Sequence, residues 1–327
     1  PIWQLMTAFQ MSAAYKAAIE IELFTKIAEG YTTTKSLAEA CGAAERGVRI
    51  LADTLTVLGL LSKQHGEYSL TDASATFLDK RLHTYLGGAR EFIMSDAQLR
   101  GFNDLTNAVR HGGSQIHGDS SLDPESPMWV TFARAMMPMM APAAQQIAEK
   151  IGFDRDRELK VLDIAAGHGL FGITVAKAFP NAQIYAADWS NVLTVATENA
   201  EKFGVADRYH LIEGSAFEVD FGEGYDVILV TNFLHHFDAA TCTHFMRKVS
   251  AALAPDGKAM TLEFIPNDDR VSPPGEALLA IVMLAATPAG DAYTFHELRQ
   301  ICEDAGFSRN EHIPLAPMPQ PLIVSMR

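Results

Sequence analysis

Short apolar runs alternate with helical stretches through the second half of the chain. Five such runs follow one another from Leu159, and they read KVLDIAA, QIYAAD, YHLIEG, YDVILVTN and KAMTLEF. This alternation predicts a parallel sheet with helices on both faces, which is an α/β fold. Two further runs, FSRNEHIPL and PLIVSMR, end the sequence and predict a final pair of strands in a hairpin. We therefore expect an α/β domain over residues 151–327.

The first hundred residues have a different, mainly helical pattern. Apolar residues at helical spacing predict one amphipathic helix over residues 1–30, and they are Ala13, Ala17, Ile21 and Phe24. Two shorter helices, a hairpin that turns at His65 and Gly66, and one more helix follow over residues 31–80. This order is typical of a winged helix, so we expect a winged-helix-like domain over residues 1–100.

Residues 101–150 are predicted to be a helical connector. The polar stretch HGGSQIHGDSSLDPESP within it is expected to form a surface loop. A methionine-rich helix follows, in which we expect Pro138 and Pro142 to break the regular hydrogen bonding. Clustered methionines are more often flexible core filler than ligand contacts, so the pattern alone favours a packing role for them.

Charge and cysteine usage narrow the classes of partner. The chain has 26 Lys and Arg against 40 Asp and Glu, a net charge of −14, which disfavours affinity for nucleic acid or anionic membranes. A winged helix that reads DNA normally has a basic face, whereas residues 31–80 carry five basic and six acidic side chains. The three cysteines lie far apart and form no CxxC pair, which is typical of a reducing cytoplasm. The apolar runs are too short to span a bilayer, and no secretory signal pattern opens the sequence.

A glycine-rich segment, VLDIAAGHGLFG, joins the first strand of the predicted sheet to its helix. Gly167 and Gly169 permit a sharp turn and a close approach of the backbone to a ligand. Asp188 ends the next strand, 19 residues after Gly169, where a carboxylate can accept hydrogen bonds from ribose hydroxyls. Dinucleotide sites and S-adenosylmethionine sites share these features, and the GxGxxG spacing is a weak signal by itself.

Further features favour S-adenosylmethionine over a nicotinamide cofactor. Asp163 lies at the end of the first strand, four residues before Gly167. The third strand is followed by GSAF, which brings a small polar residue and Phe217 to a position where an adenine could pack. The fourth strand ends in NFLHHF, which brings imidazoles to the carboxyl edge of the sheet, where open α/β sheets bind ligands.

Taken together, these motifs resemble those of the plant caffeate- and flavonoid-type O-methyltransferases and their bacterial relatives, which methylate polyketides, bacteriochlorophyll precursors and similar compounds. The resemblance covers nearly the whole length, from the winged-helix pattern through LHHF and LEF to TPAGDAYTFHELRQICEDAGF. It implies a Rossmann-like, seven-stranded methyltransferase sheet behind a helical, winged-helix dimerisation domain. It also implies S-adenosylmethionine as cofactor, a small-molecule acceptor, and a homodimer that buries the apolar face of the first helices.

The resemblance assigns cofactor-binding roles residue by residue. DIAAGHG matches the family's DxGxGxG loop, with Ala165 in place of the first glycine. Asp188 then resembles the ribose ligand, and Trp189 is expected beside the adenine. Ser215, Ala216 and Phe217 align with Asp-Met-Phe of the family, so Ser215 is a departure that weakens one adenine contact. The implied cofactor-binding set is Asp163, Ala165, Gly167, Gly169, Asp188, Trp189, Ser215, Ala216, Phe217 and Asn232.

The same resemblance implies a catalytic pair. Methyl transfer to a phenol, whose pKa is about 10, requires removal of its proton at neutral pH, and histidine is the natural base. The family's LHxW/F pattern puts that base at His235, and Glu263 of LEF resembles the carboxylate that orients the imidazole. The implied acceptor pocket is lined by Trp129, Phe132, Met136, Asn232, His236, Met283 and Tyr293. His236, often Asp in plant members, is either a polar contact to the acceptor or structural.

One departure keeps alternatives open. Plant members carry a second glutamate near GDAYT, where this chain has Ala292, and the neighbouring Asp291 is expected to point elsewhere. The acceptor atom could therefore be nitrogen or carbon, or the bound S-adenosylmethionine could serve decarboxylation, hydroxylation or pericyclic chemistry. A winged-helix DNA-binding regulator and a nicotinamide dehydrogenase are the remaining alternatives. No HExxH motif or carboxylate cluster of ligand spacing is present, so we expect no metal site.

Overall fold

A computed structural model describes residues 2–116 and 125–327, and the chain forms two compact units that meet in sequence between Met94 and Ser95. The surface loop predicted for HGGSQIHGDSSLDPESP therefore lies partly outside the described residues. The predicted boundaries at residues 100 and 150 remain predictions. Among the described helices, none combines the length and apolar character needed to cross a membrane.

The first unit is helical with one small hairpin. Its elements are α1 Ile2–Glu20, α2 Leu23–Ala28, α3 Thr34–Ala40, α4 Glu45–Val57, β1 Leu61–Gln64, β2 Glu67–Leu70, α5 Asp72–Phe77 and α6 Arg90–Ile93. The hairpin turns at His65 and Gly66, both at positive φ, as the sequence predicts. The single helix predicted for residues 1–30 is wrong. Glu22 adopts φ 56°, a left-handed conformation that no α-helix accommodates, so the segment divides into α1 and α2.

In its described residues, the second unit has three helices before the sheet. They are α7 Asp96–Asn103, α8 Leu105–His111 and α9 Pro127–Lys150. The expectation that Pro138 and Pro142 break the third of these is wrong, because α9 is continuous through both. Each proline removes one helical hydrogen bond. Buried residues on both sides, among them Met136 and Met140, pack α9 against the sheet domain, and this packing retains the helix.

The sheet has seven strands in the order β5-β4-β3-β6-β7-β9-β8. The strands and the helices between them are, in chain order, β3 Lys160–Ile164, α10 Leu170–Ala178, β4 Gln183–Asp188, α11 Ser190–Lys202, β5 Tyr209–Glu213, β6 Tyr225–Thr231, α12 Ala239–Ala252, β7 Leu253–Leu262, α13 Pro274–Ala277, α14 Leu279–Ala286, α15 Phe295–Asp304, β8 Arg309–Ile313 and β9 Leu322–Met326. Strands β3 to β7 are parallel, and β9 pairs antiparallel with both β7 and β8. The α/β fold, the parallel sheet and the terminal hairpin are thus confirmed.

The strand order decides where ligands can bind. The chain leaves β3 toward β4 on one side and later returns to place β6 on the other side of β3. The loops that follow β3 and β6 therefore diverge at the carboxyl edge and leave a crevice between them. Both strands are almost wholly buried, so they hold these two loops on a rigid base.

Candidate active site

The loop after β3 has an unusual backbone. Ala165, Gly167 and Gly169 adopt φ values of 52°, 58° and 72°, all in the left-handed region. Glycine takes this conformation without cost, whereas a side chain costs about 1–2 kcal/mol there. Ala165 therefore holds a strained conformation at the position where the family has its first glycine. We call residues 165–172 the glycine loop.

The three glycines of the loop differ in their surroundings. A Cβ added to Gly167 would meet only the carbonyl oxygen of Ala165, at 3.8 Å, so this part of the loop borders open space. A Cβ on Gly169 would lie 2.6 Å from the Tyr209 hydroxyl, and one on Gly172 would lie 2.7 Å from Ile184. Gly169 and Gly172 thus allow close packing inside the domain, while Gly167 leaves room for a ligand beside the backbone.

Two carboxylates support the glycine loop. Asp163 is fully buried, and its Oδ2 accepts a hydrogen bond from the backbone N–H of Gly172 at 2.9 Å. Asp188 accepts from the N–H of Gly167 at 2.8 Å through Oδ2 and from the N–H of Trp189 at 2.7 Å through Oδ1. Burial raises the pKa of Asp163 to about 7 and that of Asp188 to about 6. Each Asp188 oxygen keeps a lone pair that can accept from a ligand hydroxyl.

Further residues of the implied cofactor set follow the neighbouring strands β4 and β5. Trp189 packs with Trp129 of α9 against a small apolar cluster of Ala133, Val192 and Val195. Ser215 Oγ accepts from the N–H of Phe217 at 3.3 Å and so shapes the turn after β5. The Phe217 ring packs edge-on against Phe237 with the centroids 4.9 Å apart, and the Ala216 carbonyl accepts from Lys248.

A histidine and a glutamate form a close pair at the ends of β6 and β7. The Nδ1 of His235 lies 2.5 Å from Oε2 of Glu263, and both side chains are buried. The other oxygen, Oε1, accepts from the backbone N–H groups of Phe233 at 3.0 Å, Leu234 at 2.8 Å and His235 at 3.4 Å. One carboxylate therefore holds both the turn that carries His235 and the imidazole itself. We call residues 232–236 the histidine turn.

Aromatic rings continue from His235 toward α9. The ring centroids of His235 and His236 are 4.3 Å apart, and His236 meets Trp129 edge-on at 5.3 Å. Trp129 in turn meets Phe132 edge-on at 5.6 Å. Within the described residues the Nδ1 of His236 is buried without a hydrogen-bond partner, and burial beside His235 holds the pKa of His236 well below its usual value. His236 is therefore a neutral imidazole in a largely aromatic wall.

The other implied acceptor residues differ in their contacts. Met136 and Met283 are buried. The Tyr293 hydroxyl donates to the carbonyl of Phe237 at 2.6 Å, which ties this side chain to the segment after the histidine turn. Ala292 is buried, and Asp291 forms an ion pair with Arg270. The Asp291 carboxylate is thus paired with Arg270, while the Asp291 backbone N–H donates to the carbonyl of His235 at 3.0 Å.

Sequence reasoning missed two residues that hold the histidine turn. Gly290 lies against its backbone so closely that an added Cβ would be 2.3 Å from the carbonyl oxygen of His235. Gln320, in the β8–β9 connection, donates to the side-chain oxygen of Asn232, whose amide reaches the Met140 sulfur at 3.7 Å. Gly290 belongs to the quoted TPAGDAYT motif, so it could have been found. Gln320 has no sequence signal, because its contact depends on the strand order.

Comparison with known proteins agrees with this architecture. The profile of the O-methyltransferase domain matches residues 102–308, and that of the O-methyltransferase dimerisation domain matches residues 3–80. A 3-hydroxy-5-methyl-1-naphthoate 3-O-methyltransferase from Streptomyces sahachiroi is 26% identical over 93% of this chain and 88% of its own length.

Solved structures give the same result. The crystal structure of a candidate O-methyltransferase from Nostoc punctiforme is 50% identical, with a TM-score of 0.95 over 100% of this chain and 98% of that one. The human N-acetylserotonin methyltransferase in complex with S-adenosylmethionine shares the fold, with 20% identity, a TM-score of 0.86, and coverage of 100% and 96%. The chain therefore belongs to the O-methyltransferase family and is an S-adenosylmethionine-dependent methyltransferase that carries the family's dimerisation domain.

Proposed function

We propose that this enzyme methylates a hydroxyl group of a small, flat acceptor and that His235 is the general base. The observation that carries the proposal is the 2.5 Å contact between His235 Nδ1 and Glu263 Oε2 at the carboxyl edge of the sheet. A carboxylate accepts hydrogen bonds, so Nδ1 carries the proton and Nε2 holds the free lone pair. The lone pair of Nε2 can then take the proton of an acceptor hydroxyl.

Glu263 acts as a positioning residue in this proposal. Its two oxygens together accept from the imidazole and from the backbone of the histidine turn, so the ring cannot rotate without losing a buried hydrogen bond. The negative charge beside the ring also stabilises the imidazolium that forms when Nε2 takes a proton. Bound S-adenosylmethionine supplies the methyl group as an electrophilic sulfonium.

The glycine loop fits the cofactor for a reason independent of the family. Space beside Gly167 lets a ligand approach the backbone, and Asp188 offers lone pairs to hydroxyl groups at the edge of that space. We propose that Asp188 accepts from the ribose and that Trp189 flanks the adenine. Because the loops after β3 and β6 border one crevice, a cofactor held there lies beside the histidine turn.

The aromatic wall supports a flat acceptor. His236, Trp129 and Phe132 form a continuous series of ring contacts that begins at His235. Such a wall binds planar apolar bodies, while a neutral imidazole can still exchange one hydrogen bond with the acceptor. Relatives are named for methylation of a naphthoate and of acetylserotonin, both of which carry a hydroxyl on a fused aromatic ring.

We further propose that the chain works as a homodimer in the cytoplasm. Helix α1 exposes large apolar side chains to a degree unusual for a monomer, with Trp3 73% and Phe9 68% exposed. These side chains lie within the residues that match the dimerisation domain. Light scattering at micromolar concentration should give twice the chain mass, and a monodisperse monomer would contradict the proposal.

Kinetics of His235→Ala test the proposed base. General bases contribute about 10²–10⁴-fold to rate, so kcat for a hydroxynaphthoate or hydroxyindole acceptor should fall by about that factor. The affinity for S-adenosylhomocysteine should remain unchanged, because the imidazole contacts the acceptor side of the crevice. His244→Ala, at an exposed position on α12, is the matched control and should keep full activity. Unchanged kcat in His235→Ala would exclude the proposed role.

One observation favours a second candidate function. The position that carries a second glutamate in plant members is the buried Ala292, and the adjacent Asp291 is engaged by Arg270. An enzyme without that carboxylate could use the cofactor's positive charge rather than its methyl group. Stoichiometric release of S-adenosylhomocysteine per turnover would exclude this candidate, and turnover with intact S-adenosylmethionine would establish it.

A further inference from the structure

A second cleft lies in the same unit as the active site. It has a volume of about 490 Å³ and is bordered by the loop after β7, by α13, by the start of α15 and by the β8–β9 connection. Within the described part of the chain, its lining shares no residue with the glycine loop, the histidine turn or the aromatic wall. The cleft is therefore a separate recess.

A buried carboxylate forms part of its surface. Glu276 of α13 lines the cleft and is only 7% exposed. Over residues 2–116 and 125–327, no hydrogen bond or ion pair involves its side chain. A positive ligand that reached Glu276 would give this carboxylate a partner that the described residues do not supply.

The cleft's other residues leave that carboxylate available. Arg299 lines the cleft too, but its guanidinium contacts the His296 ring nitrogen at 3.3 Å and the Glu303 carboxylate at 3.6 Å. The β8–β9 connection contributes three prolines, Pro314, Pro319 and Pro321, which have no backbone N–H to donate. A second carboxylate, Asp268, is exposed at the cleft's mouth.

Flat rings and apolar side chains form the cleft's walls. The rings of Phe295 and His312 lie with their centroids 5.0 Å apart and inclined by 48°. Ile265, Leu315 and Pro321 are buried beneath them. Such walls favour an aromatic or other planar apolar body, and the volume suits a small organic molecule.

We propose that this cleft binds a small organic amine, with the ammonium group on Glu276 and a flat apolar body between Phe295, His312 and the prolines. A charge-assisted hydrogen bond from the ammonium satisfies the otherwise unpartnered carboxylate. The site is independent of methyl transfer, because none of these residues belongs to the catalytic pair or to the glycine loop.

Calorimetry with phenethylamine tests the proposal on the whole protein saturated with S-adenosylhomocysteine. The amine should bind, and Glu276→Gln should weaken its affinity by about tenfold or more, because a charge-assisted hydrogen bond contributes about 1.5–3 kcal/mol. Glu201→Gln, at an exposed position on α11, is the matched control and should leave binding unchanged. Affinity for S-adenosylhomocysteine should be equal in all three proteins.

A comparison of ligands on the unaltered protein tests the role of charge without relying on the folding of a variant. The isosteric alcohol 2-phenylethanol should bind the unaltered protein at least about tenfold more weakly than phenethylamine, and Phe295→Leu should weaken both ligands. Equal binding of alcohol and amine would overturn the proposal. So would tighter binding of 3-phenylpropionate, which would assign the cleft to anions at Arg299, or unaltered amine affinity in a folded Glu276→Gln variant.

Discussion

The glycine loop and the histidine turn occupy equivalent positions in the fold but use different chemistry. Each follows a buried parallel strand. Two carboxylates hold the glycine loop and one holds the histidine turn, and all three accept hydrogen bonds from backbone N–H groups. At the histidine turn, the carboxylate of Glu263 also contacts an imidazole. At the glycine loop, Asp163 and Asp188 have no basic side chain against them in the described residues, and burial raises the pKa of both.

The presence or absence of an imidazole beside the carboxylate decides what each region can do chemically. A carboxylate next to an imidazole can stabilise a proton that moves onto the ring during turnover. Carboxylates surrounded by backbone N–H groups can hold a loop and accept from neutral hydroxyls, but they have no partner to which a proton could pass. We propose that Asp188 contributes to cofactor binding and that His235 and Glu263 remove the acceptor proton at the other strand end, so variants of these residues should affect the two functions separately.

Among variants of the supporting carboxylates, Glu263→Gln should give the largest effect and should act on turnover. Glutamine keeps one oxygen for the backbone of the histidine turn, but it cannot stabilise an imidazolium. Loss of the carboxylate that orients a metal-bound histidine costs about 10–100-fold, and we expect kcat to fall here by at least about tenfold with unchanged affinity for S-adenosylhomocysteine. Initial rates at saturating acceptor and S-adenosylmethionine would detect this loss. An equal loss of cofactor affinity would contradict the separation of tasks.

Asp188→Asn should give a smaller effect and should act on cofactor affinity. The amide keeps one acceptor oxygen, so we expect affinity for S-adenosylhomocysteine to fall about tenfold, as for loss of one charge-assisted hydrogen bond. In the unaltered chain the pKa of Asp188 is about 6, so affinity should decline as the pH falls below 6 and the carboxylate becomes protonated. The variant should lose this pH dependence. Titrations at pH 5 and pH 8 compare the two proteins.

Asp163→Asn should give the smallest effect and should act on stability. The folded pKa of Asp163 is about 7, well above its unfolded value, so the folded state binds the extra proton between about pH 4 and pH 7. The contribution of Asp163 to stability is therefore full below pH 4 and is lost as the pH rises through 7. Asparagine removes this loss and keeps an acceptor for Gly172, so above pH 7 the variant should be the more stable of the two proteins. Urea denaturation of both proteins at pH 5 and pH 8 gives the change in the free energy of unfolding between the two pH values. An equal change in the two proteins would contradict the prediction.

The sequence predicts the strands and motif residues of both regions better than it predicts where helices begin and end. The buried runs, the hairpin turn and the pairing of His235 with Glu263 follow from local periodicity and from the family's motifs, because each depends on residues that the motif itself contains. The break at Glu22 and the continuity of α9 through Pro138 and Pro142 do not follow. Local propensity gives the wrong result there because packing in the folded chain decides the outcome.

Details of the site depend on residues brought together from distant parts of the sequence. A Cβ on Gly172 would meet Ile184, whereas one on Gly167 would not, and this difference depends on Ile184 lying against β3 in the folded sheet. The hydrogen bond from Tyr293 to Phe237 and the contact of Gln320 with Asn232 join segments that are 56 and 88 residues apart. A motif identifies which residues are present at such a site, whereas the strand order decides which of them meet.

Single-turnover methylation of a series of substituted naphthols tests the central claim most directly. The unaltered enzyme and His235→Ala would be compared at one pH, with acceptors whose hydroxyl pKa values extend from well above that pH to below it. If His235 removes the proton, the rate deficit of the variant should be largest for the least acidic naphthol and should vanish for acceptors that are already ionised. A deficit of the same size for every acceptor would contradict a role as base and would leave His235 as a positioning residue.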